Sequence, residues 1–149
     1  MAGWTSGRGR LGLLAPLLGA WRSSSDAARC VRTFRPFGQG WVELDARWEM
    51  EGRGEYREIA LLGEMEDATL GFYSFTSDGK RSQGRRSDAS DIHPQALAFE
   101  ATMPAGVARM IYWPKEDGDG FHFAVESQTK KGWNRFLQQD YRPMTPSEA

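Results

Sequence analysis

The sequence predicts an all-β protein, an antiparallel up-and-down barrel of about ten strands with a short helical plug at its N-terminus. Three observations carry this. Over residues 41–50, Val42, Leu44, Ala46, Trp48 and Met50 fall on one face and Glu43, Asp45, Arg47 and Glu49 on the other, which is the period of a strand with one buried and one wetted side. Two hairpin signals, Ser77-Asp78-Gly79-Lys80 and the Asp/Gly-rich stretch from Lys115 to Gly120, supply residues that tolerate the positive φ of tight turns. The composition agrees, since 17 Gly and 7 Pro beside 6 Trp, 8 Phe and 4 Tyr imply many turns joining aromatic-faced strands.

Taken in order, residues 1–10 are Gly-rich and basic and read as a mobile tail. Leu11–Arg22 is an apolar segment broken by Pro16; it reads as a turn or two of helix feeding the first strand, which begins near Leu18. Arg29–Pro36 is a weakly patterned strand, with Cys30, Arg32, Phe34 and Pro36 opposite Arg29, Val31, Thr33 and Arg35. Gly52-Arg53-Gly54 turns the chain after the 41–50 strand, and Glu55–Leu62 is a strand that grows apolar towards its end. Thr69–Thr76 is aromatic on both faces; its partner Lys80–Ser87 is charged and nearly devoid of apolar residues, which predicts an exposed or edge position.

Ser87–Pro94 reads as a loop with Asx-type turns, although it brings Ser90, Asp91 and His93 close in sequence; a nucleophile triad is assembled from distant segments, not from one short run. Gln95–Thr102, Val107–Trp113, the strand carrying Phe121, Phe123 and Val125, and Trp133–Arg142 complete the meander, with turns at Met103–Gly106 and Lys130–Gly132. Residues 143–149 read as a tail, which leaves one domain over 11–142. Closing such a meander into a barrel removes its exposed edges.

The chain has 149 residues, enough for one domain that buries roughly 70% of its unfolded surface. Its net charge of -1, from 19 basic and 20 acidic residues spread along the chain, offers no basic face and argues against a nucleic-acid partner. Cys30 is the sole cysteine and reads as a small apolar residue. Asp117 and Asp119 lack the closing glutamate of a calcium loop, and no metal is expected. Residues 1–25 contain no acid and carry Arg8 and Arg10 ahead of a Leu-rich run, the pattern of a targeting segment. Pro16 and the lack of an Ala-x-Ala site favour cytoplasmic retention, with export, if residues 1–20 act as a signal, or organellar import as the alternatives. The apolar run is too short to span a bilayer.

The opening Leu17-Leu18-Gly19-Ala20-Trp21, preceded by Leu14-Ala15-Pro16, resembles that of the lipocalin-like, or calycin, barrels. Within them it resembles the bacterial lipocalin-like domains of unknown function. The order of hairpins and the closing strand from Gly132-Trp133 to Tyr141-Arg142 look similar as well. The resemblance implies that Leu11–Leu18 plugs the closed end, that Trp21 forms its floor, and that Arg142 or Arg135 covers the indole, a contact worth about 0.5–2 kcal/mol. More distantly the opening is similar to that of the nitrobindin-like haem-binding barrels. Those use an axial His on a late strand, where this chain has His122 without their surrounding His motif.

No catalytic constellation or cofactor fingerprint is present, so the leading expectation is a non-enzymatic binder or carrier of a small apolar or amphipathic, lipid-like ligand. Its expected contacts are Trp48, Phe72, Tyr73, Phe99, Arg109, Tyr112, His122, Arg135 and Tyr141. Arg109 shares a face with Val107, Ile111 and Trp113, and Arg135 with Trp133, Leu137 and Tyr141, so both cations project from apolar faces and need a partner, either a ligand carboxylate or a protein acid. Fatty-acid-binding barrels, to which the fold is related, hold a carboxylate with an inward Arg and Tyr, although this last strand has no Arg-x-Tyr. His122 shares its face with Ala124 and Glu126. It either ligates a haem iron or hydrogen-bonds a ligand inside the barrel, or faces solvent. Two further readings stand beside the carrier: a haem or porphyrin barrel with redox chemistry through His122, and a filled barrel that associates with a second copy through Lys80–Ser87.

Overall fold

The computed structural model describes residues 3–24, 28–50, 52 and 54–145. A 3-10 helix over Gly12–Leu17 leads into β1 (Gly19–Ser23), β2 (Ala28–Phe37), β3 (Trp41–Met50), β4 (Gly54–Glu64) and β5 (Leu70–Thr76). The chain continues through β6 (Arg81–Ser87), β7 (Leu97–Met103), β8 (Gly106–Pro114), β9 (Phe121–Thr129) and β10 (Gly132–Pro143). Each strand pairs antiparallel with the next and β1 pairs with β10, so the expected all-β barrel of ten strands closes. No described helix is long and apolar enough to cross a membrane.

Alternate side chains point into the interior: Cys30 and Phe34 from β2, Leu44 and Ala46 from β3, Leu62 from β4, Phe72 from β5, Phe99 from β7, Tyr112 from β8, and Phe121 and Phe123 from β9. The period-two pattern of β3 thus points Val42, Leu44, Ala46 and Trp48 inward. β6 is exposed over much of its length, as its charges imply, but it is not an edge. It is bonded to β5 on one side and β7 on the other, because closure leaves no edge for its charges to protect. Its ladder with β7 is short, from Arg85↔Glu100 to Ser87↔Ala98. Gly84 is required beside that ladder, since a Cβ there would strike the Phe72 ring and the Glu100 carbonyl.

One end of the barrel is sealed. Leu14 and Leu17 of the 3-10 helix are fully buried, each contributing about 1.5–3 kcal/mol by leaving water. The Trp21 indole N–H donates to the Leu17 carbonyl at 2.7 Å and the ring meets Phe121 edge-on at 5.0 Å between centroids. Residues 3–10, expected as a tail, include Trp4, which packs against the core; its N–H donates to Gln95 Oε1 at 2.9 Å and its carbonyl accepts from Gln95 Nε2 at 2.7 Å. At the other terminus the Met144 N–H donates to the Ala20 carbonyl, and residues 146–149 of the expected tail lie outside the described residues.

A bulge in β10 decides which of its side chains face inward. Arg135 opposes Glu126, yet Leu137 opposes Val125, so Phe136 is an extra residue. The inward phase therefore changes within the strand.

On the outer face of β3, Asp45 is buried to 8% exposure and accepts from Arg57 Nη2 at 2.8 Å. Burial pushes its carboxyl up, but hydrogen bonds from Arg57 and Arg47 outweigh this and hold it below the usual carboxylate range. A group depressed on folding contributes stability above its unfolded pKa and loses it as pH falls through the folded one. The melting temperature should therefore decline as pH drops below about 5. In a circular-dichroism pH series Asp45→Asn should show a shallower decline than the parent.

Candidate functional site

Away from the sealed end the interior opens into a cavity of about 400 Å³, continued inward by an apolar recess of about 40 Å³. The larger cavity lies within the range of small-molecule sites, about 300–1,000 Å³. Trp48, Phe72, Val125 and Leu137 line its walls, and Met103 and the exposed Phe136 stand at its mouth.

The polar centre of the cavity is Arg32, which lies on β2 between Cys30 and Phe34 and is only 2% exposed. Its Nε donates to the Tyr141 hydroxyl oxygen at 3.1 Å and its Nη1 to that of Tyr112 at 3.0 Å. The Tyr141 hydroxyl in turn donates to Gln139 Oε1 at 2.6 Å. The guanidinium carbon lies 4.0 Å from the Phe123 ring centre and 5.1 Å from that of Trp48. Burial raises the Tyr112 phenol to about 12 against the opposing pull of Arg32, and pushes Tyr141 up more strongly for the same reason. Both phenols therefore stay neutral at physiological pH, and the Cys30 thiol beside them is also raised by burial. Among the described residues no carboxylate lies within ion-pairing distance of Arg32, and its Nη2 has no hydrogen-bond partner. A buried cation whose neighbours are aromatic faces and neutral phenols is only partly compensated.

Glu58 of β4 faces the same cavity. The registers place Arg32 opposite Ala46 and Ala46 opposite Glu58, so all three occupy one row around the wall. Ser74 Oγ donates to Glu58 Oε2, and Glu58 Oε1 has no partner among the described residues.

Of the predicted contacts, Trp48, Phe72, Phe99, Tyr112 and Tyr141 are brought together around this interior. Tyr73, Arg109, His122 and Arg135 are not. Tyr73 follows the inward Phe72 and packs on Trp41, at 6.1 Å between rings on the outer face. Arg109 and Arg135, expected to point inward, also lie outside. Arg109 precedes the inward Met110, and Arg135 comes before the β10 bulge, which removes it from the face of Leu137 and Tyr141.

Their partners are protein acids. Arg109 binds Glu126 at 2.7 Å and Asp91 at 2.9 Å, and Arg135 binds Glu126 at 2.9 Å. Arg135 lies over Trp113 at 5.2 Å instead of covering Trp21, and Arg109 over Trp133 at 4.4 Å. The 88–96 loop covers this outer cluster through Ala89, Ile92 and Ala96. Glu126→Gln leaves Arg109 with one carboxylate and Arg135 with none of its ion pair, so it should cost about 2 kcal/mol in urea unfolding.

His122 is also outside, its Nδ1 2.6 Å from Asp140 Oδ1 and its ring 5.2 Å from that of Trp113. His93, the other histidine, accepts the Gln95 N–H in the outer loop. Neither histidine points into the cavity, so the donor set does not fit haem ligation there through His122. The described residues contain no cluster of His, Cys, Asp and Glu suited to a metal.

Sequence reasoning passed over Arg32, Glu58 and Ser74. The signal for Arg32 was its place at two residues from both Cys30 and Phe34, an arginine on an apolar face. Glu58 gave a similar signal, sharing a face with Ala60 and Leu62.

Neither a known family model nor a curated protein matches the chain. Among solved structures, it is similar to the crystal structure of Rv2717c from M. tuberculosis, with a TM-score of 0.60 and 13% identity over 93% of this chain and 99% of that one. At that identity the likeness is one of fold.

Proposed function

We propose that the protein is a lipocalin-like, non-enzymatic binder or carrier of a small amphipathic molecule, held with an anionic head on Arg32 and an apolar body towards the mouth. The observation that carries this reading is Arg32 itself, a buried cation that makes no ion pair among the described residues, opening on a cavity of about 400 Å³. A ligand anion would supply the missing charge through a charge-assisted hydrogen bond to Nη2, worth about 1.5–3 kcal/mol. Trp48, Val125 and Leu137 give the apolar body its walls. The same cavity favours binding over the reading of a filled barrel that serves only association.

Native mass spectrometry of freshly purified protein, with solvent extraction, is the direct test. The expected result is an adduct released as an anionic amphiphile, or an empty protein that binds decanoate at least about tenfold more tightly than decanol, as one charged hydrogen bond requires. Equal binding of decanoate and decanol, or binding of neither, would remove the reading.

A further inference from the structure

Arg32 and Glu58 carry opposite charges, face one cavity and occupy one row of the wall, yet no ion pair joins them among the described residues. Their backbones are two strands apart, about 10 Å, and the residue between them is Ala46, which is fully buried and leaves the space between them free of a large side chain. Each charge is held in its own place: Arg32 by two phenols and the Phe123 ring, Glu58 by Ser74. What remains unbonded on each is complementary, the donors of Nη2 and the acceptor Oε1.

We propose that the gap above Ala46 is a bipolar head-group site. Its ligand carries an anionic oxygen for Arg32 and, a carbon or two away, a hydroxyl or ammonium donor for Glu58, as in β-hydroxy or β-amino carboxylates with an apolar chain. This rests on the amphipathic-ligand reading and narrows it. A plain carboxylate would satisfy Arg32 but bring a second negative charge into the cavity beside Glu58, where a low dielectric strengthens the repulsion. A head with its own donor turns Glu58 from an obstacle into a partner. Specificity then comes from a buried polar group that a ligand without the donor leaves unpaired.

The test is calorimetric titration of decanoate, decanol, β-hydroxydecanoate and β-aminodecanoate into the full chain and into Glu58→Gln. Glu58→Gln keeps an oxygen for Ser74, and its melting curve confirms folding. The parent should bind the hydroxy or the amino acid about tenfold more tightly than decanoate, as a hydrogen bond to a charged group predicts. In Glu58→Gln that preference should shrink to about twofold or less, chiefly because decanoate gains affinity once the like charge is gone. A larger gain for the amino than for the hydroxy acid would support the same site with a cationic donor. If the parent binds decanoate and its substituted forms equally while rejecting decanol, the bipolar site is overturned and the Arg32 anion reading stands. If none of the acids binds better than decanol, both are overturned.

Discussion

Arg32→Met should raise the melting temperature of the ligand-free protein by about 3–6 °C and weaken decanoate binding by about 100-fold. The two effects share a cause. A guanidinium at 2% exposure with no ion-paired carboxylate among the described residues has surrendered its hydration, which costs several kcal/mol even after local relaxation. Against that stand two hydrogen bonds to phenols and contacts with the Phe123, Trp48, Tyr112 and Tyr141 rings, each worth about 0.5–2 kcal/mol. Methionine keeps much of the volume, packs well against aromatic rings and carries no charge. Replacement of buried ions by apolar groups of similar size is commonly neutral or stabilising by about 1–4 kcal/mol, and about 1–2 kcal/mol corresponds to the stated rise for a domain of this size. The loss of binding follows from removing a charge-assisted contact of about 3 kcal/mol. Scanning fluorimetry and titration on one preparation check both. A variant destabilised by more than about 2 kcal/mol that still binds decanoate like the parent would make Arg32 a strut and not a ligand anchor.

Phe121→Ala should be the most damaging single truncation at the sealed end, costing about 3–5 kcal/mol, or roughly 10–15 °C in melting temperature. Phe121 is fully buried and holds three aromatic neighbours: Trp21 edge-on at 5.0 Å, Tyr141 stacked at 5.0 Å and Tyr112 at 5.6 Å. Removing the ring leaves a void between elements that the β1–β10 and β8–β9 ladders hold apart, so the site cannot collapse to fill it. The expected signature is a lower urea midpoint at unchanged slope, while Phe121→Leu, which retains most of the volume, should lose less than about 2 kcal/mol. A loss below about 1.5 kcal/mol for the alanine variant would show that the floor repacks around Trp21. Because Tyr141 and Tyr112 both rest on this ring and both receive hydrogen bonds from Arg32, the truncation should also weaken decanoate binding by about threefold, a small effect beside that of Arg32→Met.

What could be read from the chain without its structure was the material of the wall. The alternation of Val42, Leu44, Ala46 and Trp48 is a local property, and in β3 these side chains line the interior as the period requires. The hairpins at Asp78-Gly79 and over 115–120 are likewise local, since a tight turn depends on a few adjacent residues. The apolar turn that carries Leu14 and Leu17 is local too, whereas its place as a plug came from the lipocalin-like resemblance of the opening.

Tertiary structure alone decided where the polar groups went. In a closed barrel the side of a strand that faces in is settled by register with its neighbours, and a single extra residue reverses it. Phe136 is that residue: without the bulge Arg135 would share the interior with Tyr141, and with it Arg135 pairs with Glu126 outside. β6, whose charges imply an exposed or edge strand, is exposed over much of its length yet bonded on both sides, because closure is a property of all ten strands together. Arg32 looked unremarkable on a weak strand. Its role as the buried cation of the cavity depends on Tyr112 and Tyr141, which lie 80 and 109 residues away in the chain. Periodicity carries the sorting of apolar from polar surface, which each strand expresses by itself; the pairing of charges needs distances between strands, and only the closed barrel sets those.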